Sequence, residues 1–199
     1  GHPTFPRVMR GLECLKRHNV EFNTLTCVQR DNARYPVETY RFLREVGSGF
    51  MQFIPVVERL ALQPPADGLS LTTPDREAKV TPWSVDPRAY GAFLCGVFDE
   101  WVRHDVGQVF VQIFDVALEA WVGMNPSLCV FSETCGRAMA LEHNGDLYAC
   151  DHYVYPENRL GNLLETPLRD MADSPMQEQF GQDKRNLPAC CRSCDVLFM

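Results

Sequence analysis

The sequence lacks three features, and each absence excludes a class of protein. No apolar run approaches the roughly 20 residues that a membrane-spanning helix needs. The first ten residues lack the apolar core of a signal peptide. No run of Lys and Arg is present, and the net charge of -7 argues against binding to a nucleic-acid backbone. The sequence therefore predicts a cytoplasmic protein that binds neither a membrane nor nucleic acid.

Cysteine, by contrast, is abundant, with 9 residues in a chain of 199. Disulfides are rare in the reducing cytoplasm, and an odd number of cysteines cannot all pair. Metal binding or redox chemistry is the favoured explanation for such a composition. Cys14, Cys27 and Cys95 lie in apolar helix or strand patterns, and we expect them to be buried without ligands.

Residues 1–125 alternate between helical and extended patterns. The spacing of apolar residues predicts helices over 4–18, 36–46 and 86–104, and strands over 20–28, 50–57 and 108–115. The proline-rich stretch 58–85 is predicted to be a long loop. Three helix-then-strand units predict an α/β fold with a parallel sheet and helices on its outer face. Three strands make an incomplete sheet, so we expect further sequence upstream.

The composition changes from about Pro126, where cysteines and turn residues become frequent. Asn144-Gly145 is a strong hairpin signal between the predicted strands 138–141 and 147–151. A short helix is predicted over 167–180. The domains are therefore predicted to be residues 1–125 and 126–199.

Two groups of cysteines lie in this second part. The first has the spacing C-x5-C-x14-C-D and consists of Cys129, Cys135 and Cys150, with Asp151 directly after them. Three thiolates are one ligand short of a tetrahedral zinc site or a four-cysteine iron-sulfur cluster. The spacing alone leaves both metals open, and a carboxylate at a hairpin end has a purely local role in most proteins. The candidates for a fourth ligand are His152, Cys190, Cys191 and Cys194.

Longer motifs extend this pattern to a known family. The run CVFSETCGRAMALEHNGDLYACDHYV, followed by RLGN and CRSCDVLFM, resembles the SPASM region of anaerobic sulfatase-maturating enzymes, which are radical S-adenosylmethionine enzymes. The resemblance continues upstream through EFNTLTCVQRDN, MQFIPVVER and FDEW, and so covers essentially the whole chain. It implies the later βα units of a partial (β/α)6 barrel in residues 1–125, followed by an incomplete SPASM auxiliary-cluster domain in residues 126–199.

The resemblance also implies a set of cluster ligands. Cys129, Cys135 and Cys150 match three ligands of a first auxiliary [4Fe-4S] cluster, and Cys191 and Cys194 match two ligands of a second. A third cluster, which cleaves S-adenosylmethionine, is held in the family by a CxxxCxxC loop. This chain has no cysteines with that spacing.

The implied reaction is the oxidation of a sulfatase cysteine or serine to formylglycine. In that reaction Asp151 matches the acid that takes the proton from the substrate thiol or hydroxyl. The implied partners are a sulfatase polypeptide and an external electron donor such as flavodoxin or ferredoxin. Cys190 has no place in the family pattern.

The departures from the family pattern predict that the chain is an internal segment. The remaining cysteines of the second auxiliary motif, one of which would complete the first cluster, are expected after Phe198-Met199. The segment alone is therefore expected to be inactive. Two alternatives stay open, namely a SPASM enzyme that modifies another peptide and a non-catalytic metal-binding or electron-transfer module.

Overall fold

The chain folds into two compact units in the computed structural model, which describes residues 4–58, 60 and 79–198. The first unit comprises the described residues up to 115, and the second comprises residues 116–198. No helix in these described ranges has the length and apolar composition that crossing a membrane requires. The domain boundary between residues 125 and 126 stays a prediction.

The first unit is built on a parallel sheet with the strand order β1, β2, β3. Its strands are β1 (Asn23–Val28), β2 (Phe50–Pro55) and β3 (Phe110–Val111). Helices α1 (Phe5–Arg17), α2 (Pro36–Glu45) and α3 (Pro87–His104) precede them in turn. This order confirms the predicted parallel sheet and its helix-then-strand units.

Apolar packing between the sheet and the helices forms the core of the first unit. In β2, Met51 and Phe53 are buried, whereas Phe50 and Ile54 on the opposite face are exposed. The ring of Phe53 meets Phe93 of α3 edge-on, with centroids 5.4 Å apart. Because side chains along a strand alternate between its two faces, one face of the sheet meets the helices and the other is open.

Two buried carboxylates hold α2 against α3 and the residue that follows it. The Tyr40 hydroxyl donates to Asp105 Oδ2 at 2.7 Å, and Arg44 Nη1 donates to the same oxygen at 3.0 Å. Arg41 Nε donates to Glu100 Oε1 at 2.8 Å. Burial, together with the hydrogen bond to Asp105, raises the pKa of Tyr40. A buried carboxylate without partners is costly, so these bonds fix how the two helices pack.

The second unit contains an antiparallel sheet organised around Asp146. Its strands are β4 (Ala140–Leu141), β5 (Asp146–Tyr148) and β6 (Arg159–Asn162). The hydrogen bond from Arg159, followed by that from Asn162, lowers the pKa of Asp146 to about 2. Gly145 has a φ of 90°, as the turn between β4 and β5 requires, and the predicted hairpin is confirmed. Strand β6 is an addition that the sequence pattern does not predict.

Four further α-helices lie in the described part of the chain. They are α4 (Gln112–Trp121), which contains the boundary between the units, α5 (Leu168–Ala172), α6 (Pro175–Asp183) and α7 (Ala189–Arg192). The Ser174 hydroxyl accepts from Gln177 N at 3.2 Å and caps α6, and Pro175 occupies its first turn.

Two predicted elements are wrong in part. The strand predicted over 108–115 ends at Val111, and Gln112 already begins α4. The apolar residues from Val109 to Ile113 suit a strand, but Val116 and Ala120 lie at helical spacing and are buried, so helical packing prevails. The helix predicted over 167–180 is two helices, because the Ser174-Pro175 pair starts a new one.

Other expectations have mixed outcomes. Cys14, Cys27 and Cys95 are exposed, so the expectation that they are buried is wrong. Asp86 caps α3, as its position before Pro87 indicates. Its Oδ1 accepts hydrogen bonds from the backbone amides of Arg88 and Ala89. Much of the loop predicted over 58–85, namely residues 59 and 61–78, lies outside the described residues.

The two glycines of α3 provide a matched test of the packing between α2 and α3. A Cβ at Gly96 would lie 2.7 Å from Cγ of Pro36, whereas a Cβ at Gly91 would meet nothing within 4 Å. Gly91→Ala is expected to stabilise the protein by up to about 1 kcal/mol through helix propensity. Gly96→Ala is expected to destabilise it by about 1 kcal/mol or more through overpacking. Urea denaturation of both variants is the measurement, and equal stabilisation would contradict the packing described here.

Candidate metal centre

The first cysteine group lies on irregular segments around the β4–β5 hairpin. Cys129 begins a single 3-10 turn, Cys135 lies in the loop before β4, and Cys150 follows β5 by two residues. Cys129 and Cys135 are half-buried, and Cys150 is buried. The second unit therefore carries three thiols that are largely withdrawn from solvent.

Cys150 lies beside two polar side chains. Its Sγ is 3.4 Å from Asp151 Oδ1 and 3.9 Å from His152 Nδ1, and the His152 amide donates to the same sulfur at 3.4 Å. His152 Nδ1 is 3.3 Å from Asp151 Oδ1. Burial raises the pKa of Cys150, and the hydrogen bond to Asp151 and the nearby Cys135 add to the increase. A metal bound at this thiol would have to displace its proton.

Asp151 is exposed although the thiol next to it is buried. Its side chain retains 62% of its accessible surface, and its amide donates to Ala138 O at 3.2 Å, which fixes the backbone at the start of the hairpin. A carboxylate in this position can reach a molecule in solution and take a proton from it. The neighbouring buried thiol cannot.

Helix α6 contacts the backbone of all three cysteine segments. Gln177 is 4% exposed, and its Nε2 donates to Gly136 O and Ala149 O, both at 3.2 Å. The Cys135 amide donates to Gly181 O at 3.0 Å. Lys184, directly after the helix, donates from Nζ to Cys129 O at 2.6 Å. Helix α6 and the residue that follows it thus hold the backbone of all three cysteine segments.

Gly181 allows the backbone of α6 to approach the Cys135 loop closely. A Cβ at this position would lie 2.9 Å from Cys135 O, so only glycine allows the helix to come so near the loop. Beside this contact lies a cavity of about 420 Å³, whose lining includes Cys135, Arg137, Asp173, Gln177 and Glu178. Arg137 and Asp173 form an ion pair at 2.7 Å on its wall.

The donor atoms of the first cysteine group fit an iron-sulfur cluster. A tetrahedral zinc site with Zn–S bonds of about 2.3 Å places its sulfurs about 3.8 Å apart. Within the residues that the structure describes, the ligand atoms that all lie within 4.8 Å of one another are those of Cys150, Asp151 and His152. Cys129 and Cys135 therefore do not join Cys150 at zinc spacing. Their donor set is entirely sulfur, as in iron-sulfur proteins, and the residues present fit a cluster.

The second cysteine group forms a separate, exposed cluster. Cys190 and Cys191 lie in α7, and the Cys194 amide donates to Cys191 O at 3.1 Å. The hydrogen bond between the Cys191 thiol and Cys190 raises the pKa of Cys191. Of the residues considered as a fourth ligand of the first group, His152 is the one that lies next to Cys150. The assignment of all five ligand cysteines and of Asp151 stays a prediction.

Three residues that sequence patterns do not single out are therefore important at this centre, namely Gln177, Gly181 and Lys184. Each is an ordinary residue in or after a short polar helix, and each acts on a backbone group far away in the chain. Gln177, for example, bonds to residues 41 and 28 positions away. The one available signal is the Ser174-Pro175 helix start, which predicts where α6 begins but not what it contacts.

Comparisons with known proteins extend these observations. Residues 129–195 match the SPASM family, an iron-sulfur cluster-binding domain. The whole chain is 42% identical to a serine-type anaerobic sulfatase-maturating enzyme of Bacteroides thetaiotaomicron, of which it covers 48%. Over 96% of its length it is 30% identical to a cysteine-type enzyme of Clostridium novyi, of which it also covers 48%.

Solved structures agree with this likeness. A structure of native anSMEcpe with bound AdoMet and Cp18Cys peptide superposes with a TM-score of 0.81 at 26% identity. The match covers 98% of this chain and 51% of that one. The predicted fold class is thereby confirmed, and the chain spans about half the length of the relatives it matches. Residues 129–195 match the SPASM iron-sulfur cluster-binding domain, and the chain as a whole is similar to about one half of the anaerobic sulfatase-maturating enzymes.

Proposed function

We propose that the full-length protein oxidises a serine or cysteine side chain of a sulfatase to formylglycine by radical S-adenosylmethionine chemistry. The observation that carries this proposal is the placement of an exposed carboxylate, Asp151, directly beside a buried cysteine of a SPASM domain. The likeness to serine-type and cysteine-type sulfatase-maturating enzymes supports the substrate class.

The proposed ligands follow the two cysteine groups. Cys129, Cys135 and Cys150 hold a first auxiliary [4Fe-4S] cluster, and Cys191 and Cys194 hold a second. The burial of Cys150, the all-sulfur donor set and the match of residues 129–195 to an iron-sulfur cluster-binding domain support the first assignment. We assign residues 1–125 to the barrel and residues 126–199 to the auxiliary-cluster domain.

Formation of the aldehyde from a seryl side chain removes two hydrogen atoms, one from Cβ and one from the hydroxyl. When bound, S-adenosylmethionine and its cluster supply the radical that takes the Cβ hydrogen atom, and an auxiliary cluster takes up the remaining electron. Asp151 accepts the hydroxyl proton as a general base. A cysteinyl substrate loses its thiol proton to the same carboxylate, and hydrolysis of the resulting thioaldehyde releases sulfide.

Asp151 is suited to this role by its surroundings. Its exposure leaves the carboxylate open to an approaching substrate. His152 Nδ1, 3.3 Å away, provides a neighbouring group that can hold the carboxylate in one orientation. The backbone amide of Asp151 donates a hydrogen bond to Ala138 O, which holds the backbone at Asp151 against the hairpin.

We further propose that the reaction takes place in the cytoplasm and draws electrons from a small carrier protein such as flavodoxin or ferredoxin. All nine cysteines are free, as a reducing compartment requires. A sulfatase polypeptide would be bound before it folds, because its reacting side chain must reach the enzyme.

The direct test is incubation of the anaerobically purified full-length protein with S-adenosylmethionine, a reductant and sulfatase-derived peptides that contain serine or cysteine at the reacting position. We expect an aldehyde in the peptide by mass spectrometry, together with 5′-deoxyadenosine. Cleavage of S-adenosylmethionine with a crosslinked peptide product and no aldehyde would favour a different peptide-modifying enzyme. Absence of both products would favour a non-catalytic module.

Asp151→Asn tests the proposed base. The substitution removes the proton acceptor but retains the size of the side chain, so aldehyde formation should fall by about 100-fold or more while the iron content stays unchanged. Asp170→Asn, at an exposed aspartate of α5, is the control and should retain full activity. Full activity of Asp151→Asn would show that another group takes the proton.

Cys150→Ala tests the first cluster. Loss of this ligand should lower the iron content by about four atoms per chain, as measured by iron and sulfide analysis after anaerobic purification. Cys190→Ala is the matched control, because Cys190 is exposed and has no assigned ligand role. Equal iron in Cys150→Ala and the parent protein, or stoichiometric zinc in both, would refute the assignment.

A further inference from the structure

Lys184 places a positive charge at the backbone of the first cysteine segment. Its Nζ lies 2.6 Å from Cys129 O, and the side chain is half-buried. Within the described residues, no carboxylate oxygen is paired with Lys184 at 4.0 Å or less, whereas the neighbouring Arg185 lies 3.3 Å from Glu133. The charge of Lys184 is therefore not neutralised by a neighbouring acid.

Other cations near this part of the chain differ from Lys184 in this respect. Arg137 pairs with Asp173 at 2.7 Å, so its charge is compensated. The side chain of Arg185 is 52% exposed and that of its partner Glu133 is 77% exposed, so solvent and salt screen both. Lys184, by contrast, donates a hydrogen bond directly to the backbone of Cys129, a proposed ligand. Because the Lys184 side chain is half-buried, solvent and salt screen its charge less than the charge of an exposed residue.

A charge at this place acts on the electron affinity of a nearby iron-sulfur cluster. Uptake of one electron makes a cluster and its thiolate ligands more negative, and the potential depends on net charge, hydrogen bonding and solvent exposure around the sulfurs. An uncompensated ammonium stabilises the reduced form more than the oxidised form. The oxidation proposed above needs a group that accepts an electron from the substrate.

We propose that Lys184 raises the reduction potential of the cluster held by Cys129, Cys135 and Cys150 and so makes it the better electron acceptor. This inference rests on the proposed function and its ligand assignment. Lys184 is a positioning residue in this scheme. It acts through the Cys129 segment and through its charge, and it touches no reacting atom of the substrate.

Four substitutions in the full-length protein separate charge from structure. Lys184→Met removes the charge and the donor, Lys184→Gln removes the charge but retains an N–H donor, and Lys184→Arg retains both. Arg185→Gln removes a compensated charge one residue away and is the matched control. Redox titration followed by electron paramagnetic resonance is the readout, and the signal of the first cluster is identified by its loss in Cys150→Ala.

Loss of the charge should make the cluster harder to reduce. At a fixed potential, we expect the ratio of reduced to oxidised cluster to fall about tenfold in Lys184→Met and in Lys184→Gln, which is 59 mV for a one-electron couple. Lys184→Arg and Arg185→Gln should stay close to the parent protein. Aldehyde formation should slow in the two neutral variants.

Each other outcome decides a different point. If Cys150→Ala retains every signal, the ligand assignment fails and with it the basis of the proposal. If that signal is lost but Lys184→Gln titrates like the parent protein, the charge has no effect and the proposal alone is overturned. If Lys184→Met loses iron while Lys184→Gln keeps both iron and potential, Lys184 serves only to hold the Cys129 segment.

Discussion

The contacts between helix α6 and the backbone of the cysteine segments are the constraint on which the metal centre depends. The three cysteines lie outside the strands of the β4–β5–β6 sheet, so the ladder of this sheet alone does not fix the thiols. The bonds made by Gln177, Gly181 and Lys184 fix them as well, since each involves a backbone group of a cysteine or of its neighbour.

This arrangement explains why a buried glutamine lies at the middle of the centre. Gln177 bridges the Cys135 loop and the end of β5 with one amide group, so the two segments cannot move independently. Its Oε1 is buried and has no hydrogen-bond partner within the described part of the chain. The two bonds of its Nε2 are thus the side-chain contacts that hold Gln177 in place within the described residues.

The separation of a buried thiol from an exposed acid has a chemical consequence. Cys150 is withdrawn from solvent, as a ligand of an oxygen-sensitive cluster should be, while Asp151 one residue later faces outward. The two side chains nevertheless touch, with Cys150 Sγ 3.4 Å from Asp151 Oδ1. A single backbone segment can thus place a buried thiol and an exposed carboxylate side by side.

Local signals in the sequence predict most of the fold. Asp86 before Pro87 and the Asn144-Gly145 pair act within a few residues, and both appear where they are expected. The strand predicted from Gln108 is too long because a short apolar run fits a strand or a helix, and the burial of Val116 and Ala120 favours the helix. The cysteines are visible in the sequence. The role of Lys184 cannot be read from the sequence, because its partner, the Cys129 carbonyl, lies 55 residues away.

The most direct test of this account is a crystal structure of the anaerobically prepared full-length protein, with anomalous data collected at the iron and zinc edges. The account predicts a cluster of iron atoms bonded to Sγ of Cys129, Cys135 and Cys150, with Lys184 still bound to the Cys129 carbonyl. Anomalous signal from a single zinc ion at these sulfurs, or iron bonded to other residues while these three thiols stay free, would contradict it.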